Sequence, residues 1–148
     1  MTNDKTTATL NDLIEGLNDG IAFYDHAATE ATQSVHQQLF RDMSRTKAAI
    51  VTDLKAEVAV RGGDSDNDGS WLGDFRQGYA DLKAKLTKDP DAAYIDSLEA
   101  QEDRVLHSFR NAADADQPSR VRELAIAHLP EVTAMHDRMR ALKLAGKA

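Results

Sequence analysis

The stretch LNDLIEGLNDGIAFYDHAA, Leu10 to Ala28, decides the fold class. Its apolar residues fall at Leu10, Leu13, Ile14, Leu17, Ile21, Tyr24 and Ala28. Steps of three and four wind into one stripe along a helix, whereas a half-buried strand would alternate. Thr9, followed three residues later by Asp12, has the form of a capping box and predicts the helix start there. Residues 1–8 are then expected to form a disordered tail, with a single domain over 9–144.

The same period governs the rest of the chain, and no segment alternates like a strand. Helices are expected over about 9–30, 33–61, 70–87, 90–114 and 118–143. The second carries Leu39, Phe40, Met43, Ile50, Leu54 and Val58 inward and is broken by RGGDSDNDGS, Arg61 to Ser70. A shorter helix follows, with Trp71, Phe75, Tyr79, Leu82 and Leu86 on its core face. In KDPDAA, Asp89 is placed to cap the next helix and Pro90 to occupy its first position. That helix has the stripe Ile95, Leu98, Val105, Leu106, Phe109 and Ala113. The last carries Val121, Leu124, Ala125, Val132, Met135, Met139 and Leu142. Pro130 inside it is expected to bend it, because proline removes a donor and crowds the carbonyl of Ile126. Four long helices with a long connection between the second and third predict an all-α four-helix bundle with one crossover, the ferritin-like connectivity. LNDGIAFYDHAA (Leu17–Ala28) and EDRVLHSFRNAA (Glu102–Ala113) align as a weak internal repeat, with Tyr24 opposite Phe109.

Composition narrows the function classes. The chain of 148 residues is long enough for one buried core. With no cysteine it has no disulfide, thiolate nucleophile or cysteine-ligated metal. A net charge of −7 argues against nucleic acid, whose phosphates demand a basic footprint. No run approaches the ~20 apolar residues of a membrane span. The opening MTNDKTTATL lacks the apolar centre of a signal peptide, so a bacterial-type cytoplasm is the expected location.

At about 100° per residue most charges lie outside the apolar stripes. Glu15, Asp19, Asp103 and Asp137 are expected on solvated faces, and His26 and His107 outward. Lys47, Glu102 and His136 lean inward instead. His36 and His128 lean inward too and read as packed or snorkelling histidines; His128 lies two turns, about 12 Å, from His136. Asp64, Asp66, Asp68 and Ser70 match the opening of an EF-hand loop, but the twelfth position is Phe75 rather than a bidentate glutamate. Acidic turn residues and a weak calcium loop are the two readings of that segment. No serine stands in a Gly-x-Ser-x-Gly elbow, and no glycine-rich phosphate loop precedes a helix.

The strings DGIAFYDHAA (Asp19–Ala28), LKAEVAVRGGD (Leu54–Asp64), GSWLGDFRQGYADLKAKL (Gly69–Leu86), LEAQEDRVL (Leu98–Leu106) and HDRMRAL (His136–Leu142) together resemble a bacterial ferritin-like four-helix-bundle family catalogued only as a domain of unknown function. The marks are Asp19-Gly20, Gly62-Gly63, Gly69-Ser70, Glu102-Asp103 and His136-Asp137. The resemblance implies the fold and no agreed activity. The wider ferritin and rubrerythrin superfamily holds two irons with a glutamate from each of two helices and Glu-x-x-His from each of the others. Threaded onto that pattern, this chain offers Leu17, Lys47-x-x-Ile50, Glu102 and Thr133-x-x-His136. Only Glu102 and His136 remain of six ligands, which makes the metal site degenerate. The resemblance therefore implies an interior ion pair between Lys47 and Glu102, with His136 hydrogen-bonded to the carboxylate. The leading expectation is a non-catalytic stress-related or scaffold protein without cofactor, self-associating through a helix face. The alternatives are an iron- or manganese-binding oxidase or storage protein using Glu102 and His136, and weak calcium binding over 64–75.

Overall fold

Proline at a first helical position gives up an amide hydrogen that the helix does not use. Pro90 sits there, and the Asp89 side chain before it accepts the Ala92 amide at 3.2 Å, so this helix starts where its sequence says. The computed structural model describes the backbone of residues 2–63 and 89–146 and the side chains of 5–63 and 89–146. Over these it consists of α1 (Thr2–Glu30), α2 (Ser34–Val60), α3 (Pro90–Ala112) and α4 (Ser119–Ala145), with no strand among the described residues. None of these helices is long and apolar enough to cross a membrane. The expected helix at 70–87 and the turn before it lie outside the described residues.

The start of α1 differs from the sequence reading. Thr9 is not a cap: the helix begins at Thr2, so residues 2–8 are helical rather than a tail. The reason is tertiary. After α2, Gly62 adopts φ +74° and the Gly63 and Gly62 amides return to the Val58 and Ala59 carbonyls, each at 3.0 Å. This is a Schellman close, and the positive φ is the conformation only glycine adopts without strain. The turn lies against the first turns of α1, where a Cβ on Gly63 would stand 2.7 Å from Thr7 Cγ2. Packing of Thr6 (2% exposed) and Leu10 (0%) extends the helix past its local start signal.

α1 packs most extensively against α2, α3 against α4, and α1 against α3. His36 of α2 meets Asp91 of α3, and Lys47 meets Glu102; both pairs are separated by 55 residues in the chain. α2 and α3 therefore run parallel, with their first turns at the same end. α2 and α4 run antiparallel, as His128–Asp53 and Arg120–Glu57 show at 2.7 and 2.8 Å. The core lies between all four helices, with Tyr24, Phe40, Tyr94 and Phe109 as its largest apolar members. α1 touches three neighbours and is buried continuously from Leu13 to Leu17. Glu15, expected on a solvated face, is consequently buried (7% exposed). α4 continues through Pro130, which sits on the exposed side, where water can take the displaced carbonyl.

Candidate functional site

A lysine without solvent must find its charge partner inside the protein. Lys47, midway along α2, is 0% exposed, and its Nζ donates to Glu102 Oε1 at 2.8 Å. Glu102 of α3 is equally buried. Its other oxygen, Oε2, accepts the Tyr24 hydroxyl of α1 at 2.5 Å. Lys47 Nζ also stands 5.8 Å from the centre of the Tyr24 ring. Burial, and next the Glu102 carboxylate, push the Tyr24 phenol well above its ordinary pKa, so it stays a donor. Three helices thus contribute one member each to a closed polar layer in the bundle.

Gly20 makes room for it. A Cβ at that position would lie 3.1 Å from Lys47 Cδ and Cε and 3.0 Å from Gln101 Oε1. Gln101 in turn donates from Nε2 to the Gly16 carbonyl at 3.1 Å. Alanine ordinarily gains about 1 kcal/mol over glycine within a helix. At position 20 the lysine stem cannot retreat while its ammonium is fixed, and overpacking costs about 1–3 kcal/mol. Gly20→Ala is expected to lower stability by about 1 kcal/mol in a urea melt, the reverse of its propensity.

His136 does not join this layer. The expected hydrogen bond from His136 to Glu102 is replaced by contacts at the α3–α4 interface. Its Nε2 lies 3.2 Å from Asp103 Oδ1 and 3.8 Å from Glu99 Oε2, and its Nδ1 lies 3.2 Å from Asp137 Oδ1. The physical reason is the rotation of α3: Glu102 turns to the core, while Glu99 and Asp103, one turn apart, share the flank that faces α4. The two residues expected to act together as metal ligands, Glu102 and His136, thus have separate partner sets. Glu99 is buried and also accepts Lys143 Nζ at 3.1 Å, with Arg140 at 3.8 Å. Hydrogen bonds donated to Asp96 and then to Glu99 hold the Lys143 ammonium above the usual lysine range.

A third polar group joins the first turns of α2 and α3. Gln33, the residue capping α2, makes no side-chain cap hydrogen bond. Asp91 of α3 supplies the missing acceptor. Its carboxylate takes the Thr32 amide at 2.7 Å, the Thr32 hydroxyl at 2.9 Å, the Gln33 amide at 3.1 Å and His36 Nδ1 at 2.6 Å. Burial opposes its charge, but the hydrogen bonds from Thr32, His36 and Gln33 outweigh burial and bring its pKa down to about 2. His36 also stacks on Phe40, the two ring centres being 6.1 Å apart.

Sequence reasoning missed Tyr24, Asp91 and Glu99 as members of these groups. Tyr24 had a usable signal, since a tyrosine on a core stripe needs a partner for its hydroxyl. Asp91 and Glu99 had none, because each is completed by another helix. His128, read as a packed or snorkelling histidine, has a largely covered ring whose Nε2 reaches the exposed Asp53 at 2.7 Å. Asp64, Asp66, Asp68 and Ser70, the candidate calcium ligands, lie outside the described residues.

The family model for the Domain of unknown function (DUF2383) matches residues 5–115, and the chain belongs to that family. The match takes in α1, α2 and α3, with Tyr24, Lys47, Asp91 and Glu102, and ends before α4. No curated protein matches the chain.

Proposed function

We propose that this DUF2383 member is a ferritin-like bundle serving as a non-catalytic scaffold or interaction protein, with a polar layer where a di-iron bundle would hold its metals. Both oxygens of Glu102 are already engaged, one by the Lys47 ammonium and one by the Tyr24 hydroxyl, and this observation carries the reading. Of the other positions matched to di-iron ligands, Leu17 and Ile50 are apolar and fully buried, and Thr133 offers no carboxylate. A cation entering this layer would meet an ammonium within hydrogen-bond distance of the one carboxylate present, and like charges repel strongly in a dry interior. The residues present therefore do not fit a dinuclear metal centre.

The ferritin-like part of the reading draws support from chain direction. Because α2 and α3 run parallel, the end of α2 and the start of α3 stand at opposite ends of the described helices. A parallel second and third helix is the chain direction expected of a bundle with one crossover, which supports the ferritin-like reading.

Elemental analysis of untagged protein from iron- and manganese-supplemented cells tests the proposal. The expected result is no two-metal complement, and a metal content unaffected by Glu102→Gln. Two iron or manganese ions per chain that vanish in the Glu102→Gln variant would overturn it.

A further inference from the structure

The interface between α3 and α4 gathers an imidazole and several carboxylates away from the central layer. Glu99 and Asp103 project from successive turns of α3, and His136 faces them from α4. Single oxygens of the two carboxylates and a nitrogen of the imidazole all lie within 4.8 Å of one another. For metal–ligand bonds of about 2.1 Å, neighbouring donors stand about 3.0 Å apart in an octahedron and about 3.4 Å in a tetrahedron. The 3.2 Å from His136 Nε2 to Asp103 is already in that range, and the 3.8 Å to Glu99 closes with a small side-chain shift.

Two further features point the same way. First, both ring nitrogens of His136 face carboxylates. A neutral imidazole carries hydrogen on one nitrogen only. With Nδ1–H donated to Asp137, the Nε2 lone pair is aimed at Asp103 and Glu99, where either a second ring proton or a metal cation can sit. A carboxylate on the far nitrogen is the usual outer partner of a metal-bound histidine, fixing its tautomer and orientation. Second, the local charge favours a cation, because carboxylates outnumber the lysine and arginine within ion-pair distance. Asp96, Glu99, Asp103 and Asp137 stand against Lys143 and Arg140, which leaves two formal negative charges. Lys143 bonds Glu99 Oε1 at 3.1 Å, whereas Oε2 lies 3.8 Å from both His136 Nε2 and Arg140 Nη1; the arginine, 55% exposed, has solvent to turn into when a metal takes that oxygen.

We propose that Glu99, Asp103 and His136 form a mononuclear site for a divalent first-row transition metal, with Asp137 as the positioning residue behind the imidazole. One nitrogen and two oxygen donors suit zinc, manganese, iron or cobalt better than calcium, which takes six to eight oxygens. Solvent reaches the site past the exposed Asp103, so water completes the coordination. The metal would clamp α3 to α4 independently of the central layer.

Calorimetric titration of the full chain with Zn²⁺, after chelator treatment and dialysis, tests the assignment. The expected result is one equivalent bound, lost in His136→Ala and weakened at least tenfold in Asp103→Asn. Asp137→Ala is expected to weaken binding about tenfold, the usual effect of removing a metal ligand's outer partner. His128→Ala, which removes a different histidine–aspartate pair, should bind like the parent, and circular dichroism should show every variant folded. Absence of binding at micromolar Zn²⁺, or binding kept in His136→Ala and lost in His128→Ala, would overturn the site. Loss on Glu102→Gln with His136→Ala unaffected would place the metal in the central layer and contradict the scaffold reading instead.

Discussion

Lys47→Met is expected to destabilise the protein by about 3–5 kcal/mol, because it leaves the Glu102 carboxylate buried without its cation. Glu102→Leu should cost a similar amount by stranding the ammonium, which is 0% exposed and reaches no solvent. The Tyr24 hydroxyl also loses its acceptor in that variant, which adds about 1–3 kcal/mol. The triple change Lys47→Met, Glu102→Leu, Tyr24→Phe removes every charged and hydroxyl group of the layer. It is expected to return to within about 2 kcal/mol of the parent, since apolar replacement of a buried ion pair is often neutral or better. Urea melts of the single and triple variants measure this directly. A triple variant as unstable as the worst single one would show that the layer contributes net stability.

Asp91→Ala is the second large expected effect, a loss of about 3 kcal/mol at neutral pH. The substitution leaves the Thr32 and Gln33 amides at the start of α2 without acceptors and releases His36. The same carboxylate sets an acid limb. Its pKa falls from the ordinary 3.8 to about 2 on folding, so between those values the unfolded chain binds more protons than the folded one. Its contribution is fully present above about pH 4 and is lost as pH falls through about 2. The difference corresponds to about 2 kcal/mol, for a group only 1% exposed. Stability measured from pH 5 to pH 2 should therefore fall by about that amount more in the parent than in Asp91→Asn. Parallel curves for the two proteins would remove Asp91 from the acid response.

The two residues show different limits of reading from sequence. Lys47 and Glu102 were legible because each interrupts an apolar stripe, and an interrupted stripe marks a buried polar residue whatever its partner. Asp91 was illegible as a cap for α2 because it sits 59 residues from Thr32 and belongs to a different helix's first turn. As an acidic residue beside Pro90 it resembles any carboxylate favoured by a helix start. His136 lies between these cases. Its inward lean was visible, but its partners depend on the rotation of α3, which a helical wheel drawn for one helix does not contain.

Helix existence and its inward faces follow from the sequence by itself, because the 3.6-residue period is a local property repeated over many turns. Asp89 and Pro90 likewise fixed the start of α3 from four consecutive residues. Only the tertiary structure decided that α1 begins at Thr2, that Glu15 is buried, and that Tyr24 rather than His136 completes the layer around Glu102. The physical reason is common to all three. Each outcome depends on contacts between helices, whose relative rotation moves a side chain from one neighbour to another without changing any pattern along the chain. The polar layer and the proposed metal site on α3 are three residues apart in sequence, at Glu102 and Glu99, yet they face different partners because those three residues turn the helix by about 300°.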